Sequence, residues 1–221
     1  MKNTFSKLKL DVAIVAVALV TATSASAYSV TTGGTVVVGE GLTTSVAGAT
    51  VVDFDSNLLL PTGYTGGAVK IGSSSDNWAS PPNDTSNFYT VGPGSGQSNP
   101  GTVLLNSVSQ YFGYFGGSPD KYNSVELYMN NSMLTSFTGT YLASVAGIPP
   151  DGNWSNGAYW NIWASNATEY FNKVVFRSTS NAFETDNHAS VSAVPLPAAV
   201  WLFGTGLLGL LGLAKRQRST A

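Results

Sequence analysis

The sequence predicts an all-β fold: one β-sandwich or jelly-roll-like domain, flanked by an N-terminal signal peptide and a C-terminal transmembrane helix. Three observations predict it. Short runs alternate apolar and polar residues, as in Asn123-Ser-Val-Glu-Leu-Tyr-Met129, where Val125, Leu127 and Met129 share one face. Clusters of Gly, Pro, Asn and Ser separate such runs at 61–67, 92–96, 116–120 and 149–152. Charged residues make up 10% of the chain and aromatic residues 11%. That balance suits buried rings and neutral polar loops, and it falls well below the roughly 25% charged residues of an average soluble domain.

The elements follow in chain order. Residues 1–27 have the three parts of a secretory signal: Lys2, Lys7 and Lys9, then the apolar run 12–20, then Ala25-Ser26-Ala27 as a small-x-small cleavage site. Signal peptidase and the Sec translocon are the expected partners, and Tyr28 is the expected new N-terminus. Strand-like runs follow at 35–38, 50–54, 68–71, 102–105, 111–115, 134–137 and 158–163, the last with Trp160 and Ile162 on one face. Residues 169–177 carry Phe171, Val174, Val175 and Phe176, then turn through 178–181 into 182–186. Residues 73–101, rich in Ser, Pro, Asn and Gly, form a long loop interrupted by a short strand at 88–91. No long helical pattern appears between the two ends, so 28–193 is expected to be a single extracytoplasmic domain.

Residues 198–214 read AAVWLFGTGLLGLLGLA and carry no charge. Seventeen such residues reach the lower limit for crossing a bilayer. Lys215, Arg216 and Arg218 follow at once and hold the C-terminus inside, leaving the body outside. Ahead of the span, Pro195 and Pro197 keep Val194-Pro195-Leu196-Pro197 extended, because proline cannot enter a helix interior.

This tripartite tail, VPLP followed by the apolar span and KRQR, resembles the PEP-CTERM sorting signal of Gram-negative bacteria in its VPLPA variant. Leu196 stands where the family usually carries Glu. The resemblance covers residues 194–218. It implies recognition by an exosortase with cleavage near Val194, Pro195, Leu196 and Pro197. It also implies transient anchoring in the inner membrane, release to the cell surface, and association with exopolysaccharide or biofilm matrix. More loosely, the stretch from Tyr111 to His188, with Tyr111-Phe-Gly-Tyr-Phe-Gly-Gly-Ser118 and Phe183-Glu-Thr-Asp-Asn187, is similar to the domain that precedes this tail in many exosortase-dependent proteins.

Charge and cysteine content narrow the function. Between Tyr28 and Ala193 there are four basic residues against eleven acidic ones, a net of about −7. A nucleic-acid binder needs Lys and Arg to replace phosphate counterions, so that class is excluded. The chain has no cysteine, which removes disulfides and thiolate chemistry.

Within the body, Asp53 and Asp55, and Glu184 and Asp186, are acids expected at strand ends, each pair on one side of a strand. Carboxylates in sandwich loops suit Ca²⁺, the one cofactor this pattern suggests, although no EF-hand loop is present. Their other reading is as ordinary solvated acids. Trp78 and Trp154 lie in loop-like sequence and are candidates to stack on sugar, whereas Trp160 and Trp163 read as core. The single histidine, His188, has no G-x-S-x-G elbow for a triad and is expected as a solvated residue of the linker. Asn83, Asn130, Asn153 and Asn166 begin N-x-[ST] sequons, in keeping with a surface-exposed body. The leading expectation is a non-enzymatic surface or matrix protein. A secreted carbohydrate-active enzyme or carbohydrate-binding protein, and a self-associating structural component, are the alternatives.

Overall fold

The computed structural model describes residues 27–94, 96–166 and 168–193. The expected signal peptide up to residue 26, with Ala25, and the tail 194–221, with the VPLP motif, the apolar span, Lys215, Arg216 and Arg218, lie outside the described residues.

The described chain is all-β. It runs through β1 (Tyr28–Thr32), β2 (Thr35–Val37), β3 (Gly41–Thr43), β4 (Thr50–Val52), β5 (Tyr64–Thr65), β6 (Ala68–Ile71), β7 (Asn87–Val91), β8 (Gly101–Gly116), β9 (Asn123–Met129) and β10 (Ser132–Thr138). One short helix, α1 (Gly139–Ala146), precedes β11 (Ala158–Ala164), β12 (Phe171–Ser178) and β13 (Phe183–Ser192). Among the described residues no helix is long and apolar enough to cross a membrane.

Most strands join one curled antiparallel sheet in the order β10-β9-β12-β8-β13-β7-β6. In addition β11 pairs with β8, β1 with β11, β4 with β13 and β5 with β8. The hairpin β2–β3 stands apart.

The long strand β8 accounts for the curl. Its first part, Gly101 to Leu104, pairs with β12; its last part, Tyr111 to Gly116, pairs with β11 along one edge and β13 along the other. Between them the register slips: Phe171 and Lys173 of β12 face Ser109 and Leu104. The extra residues on β8 form a wide bulge, and bulges bend the strand that carries them. Ser109 Oγ lies 2.6 Å from the carbonyl oxygens of both Tyr111 and Val191, which ties the bend to β13. The sequence reading has two separate strands here because the polar residues Asn106 to Gln110 look like a break.

Beyond the bend β8 is buried on both faces. Phe112 and Tyr114 point inward to a core with Trp160, Ile162, Phe176 and Phe183. Tyr111 and Phe115 point outward to a second layer with Tyr159 and Ala189, covered by Leu42, Val46 and Ala49. Gly41, at φ 69°, lets β3 lie over the Phe115 ring, which a Cβ at that position would strike.

The helix α1 was not expected. It is too short to give a periodic signal, but its ends are marked. Thr138 accepts a hydrogen bond from the Tyr141 N–H at 3.3 Å, and Gly147, at φ 68°, closes it. The indole of Trp160 donates to the Leu142 carbonyl at 3.0 Å and fastens the helix to the core.

His188 is a correction. It is not a solvated linker residue; it is only 2% exposed, within β13. A bulge at Asn187, at φ 50°, shifts the alternation of β13 so that His188 turns inward. Its ring stacks on Phe176 at 5.0 Å and meets Phe54 edge-on at the same distance. Nδ1 lies 3.0 Å from the Tyr64 hydroxyl and Nε2 lies 2.9 Å from the Thr185 hydroxyl. Burial lowers its pKa to about 3 and keeps the ring neutral.

Candidate functional site

The outer side of β13 carries two acids under the segment 73–86. They sit in different settings.

Glu184 opens into a cleft of about 650 Å³. One wall is the turn around Ser74 and Trp78, whose backbones bond each other at 2.9 and 3.2 Å. The others are Ser118, Asp120 and Tyr122 after β8, Gly152 and Trp154 before β11, and Ser180 to Ala182 between β12 and β13. Side-chain amides hold the walls together. Asn181 Nδ2 donates to the Asp76 carbonyl at 2.8 Å, and Gln97 Nε2 donates to the Asn77 carbonyl at 2.9 Å. Asn181 Oδ1 is buried without a partner.

The two tryptophans singled out from the sequence thus line the same cleft. Trp154 is 65% exposed. Trp78 is more fixed: its indole donates to the Gly72 carbonyl at 3.1 Å, and the Lys70 ammonium sits 4.6 Å from the ring centroid. Trp160 is core, as expected, and Trp163 is half-buried, its ring packed 4.4 Å from that of Tyr111.

Two carboxyl groups lie at the back of the cleft. Glu184 Oε1 accepts the Ala79 N–H at 2.9 Å. Burial pushes its pKa up to about 7, with the charge of Asp120 adding to the shift. Asp120 is also buried and raised, with the Ser118 hydroxyl 3.2 Å from Oδ2. The Tyr122 hydroxyl donates to the Asn181 carbonyl at 3.0 Å. Neutral amides and hydroxyls, two aromatic faces and two acids make a surface that can stack on and hydrogen-bond a polyhydroxylated ligand.

Asp186, two residues further along β13, does not enter this cleft's lining. It is fully buried and faces Asp84, which is 4% exposed. Asp84 Oδ1 is held by the Ser86 N–H at 2.9 Å and hydroxyl at 2.6 Å. Asp84 Oδ2 and both carboxylate oxygens of Asp186 have no partner. Burial, and then Asp84, push the Asp186 pKa up to about 10. Burial also raises Glu40, with further contributions from Asp55, Asp53 and Asp84.

The four acids expected to act together are therefore divided between the cleft and a second cluster. Glu184 and Asp186 are not solvated strand-end residues but buried members of β13. Asp53 and Asp55 are exposed, and they follow the end of β4. Phe54 between them adopts φ 60° and buries its ring, so the chain turns there instead of continuing as a strand. Asp55 Oδ1 accepts the Asn87 N–H at 3.0 Å, and Asp53 Oδ1 accepts the Asp55 N–H at 3.2 Å. Among the described residues, no three His, Asp or Glu side chains form a metal-holding group.

Sequence reasoning missed Asp84, Asp120, Tyr122 and Asn181. The local signals were an Asx turn at Asp84-Thr-Ser86 and a proline-containing turn at Ser118-Pro-Asp120, which say that an acid is placed but not what it faces. The sequons Asn83, Asn130, Asn153 and Asn166 are all exposed. Comparison with protein families, with curated proteins and with solved structures finds no match to this chain.

Proposed function

We propose that this is an exported surface or extracellular-matrix protein whose jelly-roll-like β-sandwich binds carbohydrate, of the exopolysaccharide class, in the cleft between Trp78 and Trp154. The observation that carries the binding reading is the joining of those two rings, far apart in sequence, with buried carboxyls and amides in one cavity. The export reading rests on the sequence of the two ends: signal peptidase and the Sec translocon act on 1–27, and an exosortase acts on the VPLP tail. The body is held outside the inner membrane in between, then passes to the cell surface or beyond.

Two experiments test this. A glycan array probed with the exported chain is expected to give signals that Trp154→Ala and Trp78→Ala both lose; silence of the wild type removes the binding reading. Mass spectrometry of the protein from exosortase-positive cells is expected to find the chain ending near Val194–Pro197; an intact terminus at Ala221 removes the sorting reading.

A second reading has its own support. Asp120 and Glu184 share the cleft, and glycoside hydrolysis uses two carboxyl groups flanking the scissile bond. A carbohydrate-active enzyme with the same tail releases reducing ends from a polysaccharide that binds in the array, and Glu184→Gln abolishes the release. Binding without release leaves the non-enzymatic reading in place.

A further inference from the structure

The second acidic cluster lacks a positive partner. Asp84 and Asp186 approach closely enough for a protonated carboxyl of one to bond the other. As two carboxylates they have no donor between them; the Asn187 N–H offsets only part of the burial cost at Asp186, and three of their four oxygens make no close hydrogen bond. A buried acceptor left unpaired is costly, and a buried uncompensated charge more so. One shared proton satisfies two of those oxygens and leaves the third. It also leaves the negative field of Asp55, which acts on both carboxyls, and of Glu40 beside Asp84. No basic side chain among the described residues pairs with any of these acids; Arg177 is engaged with Glu126.

We infer that a divalent cation of the calcium class sits between Asp84 and Asp186, within the negative field of Asp55 and Glu40. The donor set is all oxygen, which selects a hard ion over zinc or copper. Calcium accepts six to eight oxygens in irregular arrangements that include backbone carbonyls and water. That tolerance fits a buried cluster that offers three free carboxylate oxygens and leaves the remaining positions to backbone carbonyls of the surrounding turns. The site differs from the one suggested by the sequence, since Asp84 replaces Glu184 as the partner of Asp186. It pins the segment 73–86 to β13 next to the cleft, yet it does not depend on the cleft binding sugar.

The test uses the full chain, first stripped with EDTA and then titrated with calcium chloride. The melting temperature is expected to rise by about 5–10 °C when calcium exceeds its Kd about 100-fold. Terbium, bound in place of calcium, is expected to show luminescence sensitised by nearby aromatic rings and displaced by calcium. Asp186→Asn and Asp84→Asn should each remove both responses, while Glu184→Gln should keep both. The wild-type chain alone decides the matter should the Asn variants not fold. A wild type with neither response overturns the inference, and so does a calcium response that survives in both Asn variants. A silent wild type beside an Asp186→Asn variant at least as stable assigns the pair a shared proton instead.

Discussion

Glu184 and Asp186 are two acids on one side of one strand, covered by the same chain segment, and they meet opposite fates. Glu184 has a backbone donor, Ala79, and looks into an open cleft beside Asp120. Asp186 has only the neighbouring Asn187 N–H to lower its pKa, makes no close hydrogen bond, is closed to solvent and has another carboxyl in front of it. The first arrangement leaves room for a neutral polar ligand to complete its hydrogen bonds. The second cannot hold two bare charges, so its negative charge must be met by a proton or by a cation. Both are carboxylic acids on the same face of β13; what differs most is which hydrogen bonds are left over.

That contrast predicts a separation of effects. Substitutions at the closed cluster should move stability, and substitutions at the open cleft should move binding. The largest change is expected in the core under both sites. His188→Ala removes a ring packed on Phe176 and Phe54 and strands the Tyr64 and Thr185 hydroxyls. It should cost about 3–5 kcal/mol in urea unfolding; a loss under about 1 kcal/mol would mean that the aromatic core closes without it. Next is chelation, with the fall in melting temperature given above and no change in the Trp154 environment seen by fluorescence. Trp154→Ala follows: carbohydrate affinity should fall about tenfold or more, with stability within about 0.5 kcal/mol because the ring is exposed. A destabilised Trp154→Ala protein would blur the separation. Smallest is Arg177→Ala, which breaks a 2.7 Å pair with Glu126 whose arginine is 41% exposed. Such pairs are worth about 0–1 kcal/mol, so neither site should register it.

The parts of this molecule legible in the sequence are those governed by strict alternation. Ala68–Ile71 and Asn123–Met129 coincide with their predicted runs, and the strand predicted at 88–91 is β7. That Trp78 and Trp154 lie outside the core was legible because Pro, Asn and Gly surround them. Alternation fails where a bulge resets it. The slip near Ser109 fused two predicted strands into β8, and the slip at Asn187 turned His188 from solvent to core. The pairing of Asp84 with Asp186, and of Asp120 with Glu184, was not legible for a different reason. Each joins distant parts of the chain through sheet topology, and an acid's local sequence does not record the charge it will face.

The most direct test of the proposed role is calorimetric titration of the exported chain with polysaccharide isolated from the producing cells, wild type beside Trp154→Ala. The account predicts a saturable heat of binding in the wild type that the variant loses while keeping its melting temperature. No heat in the wild type, or equal heats in both proteins, would contradict it.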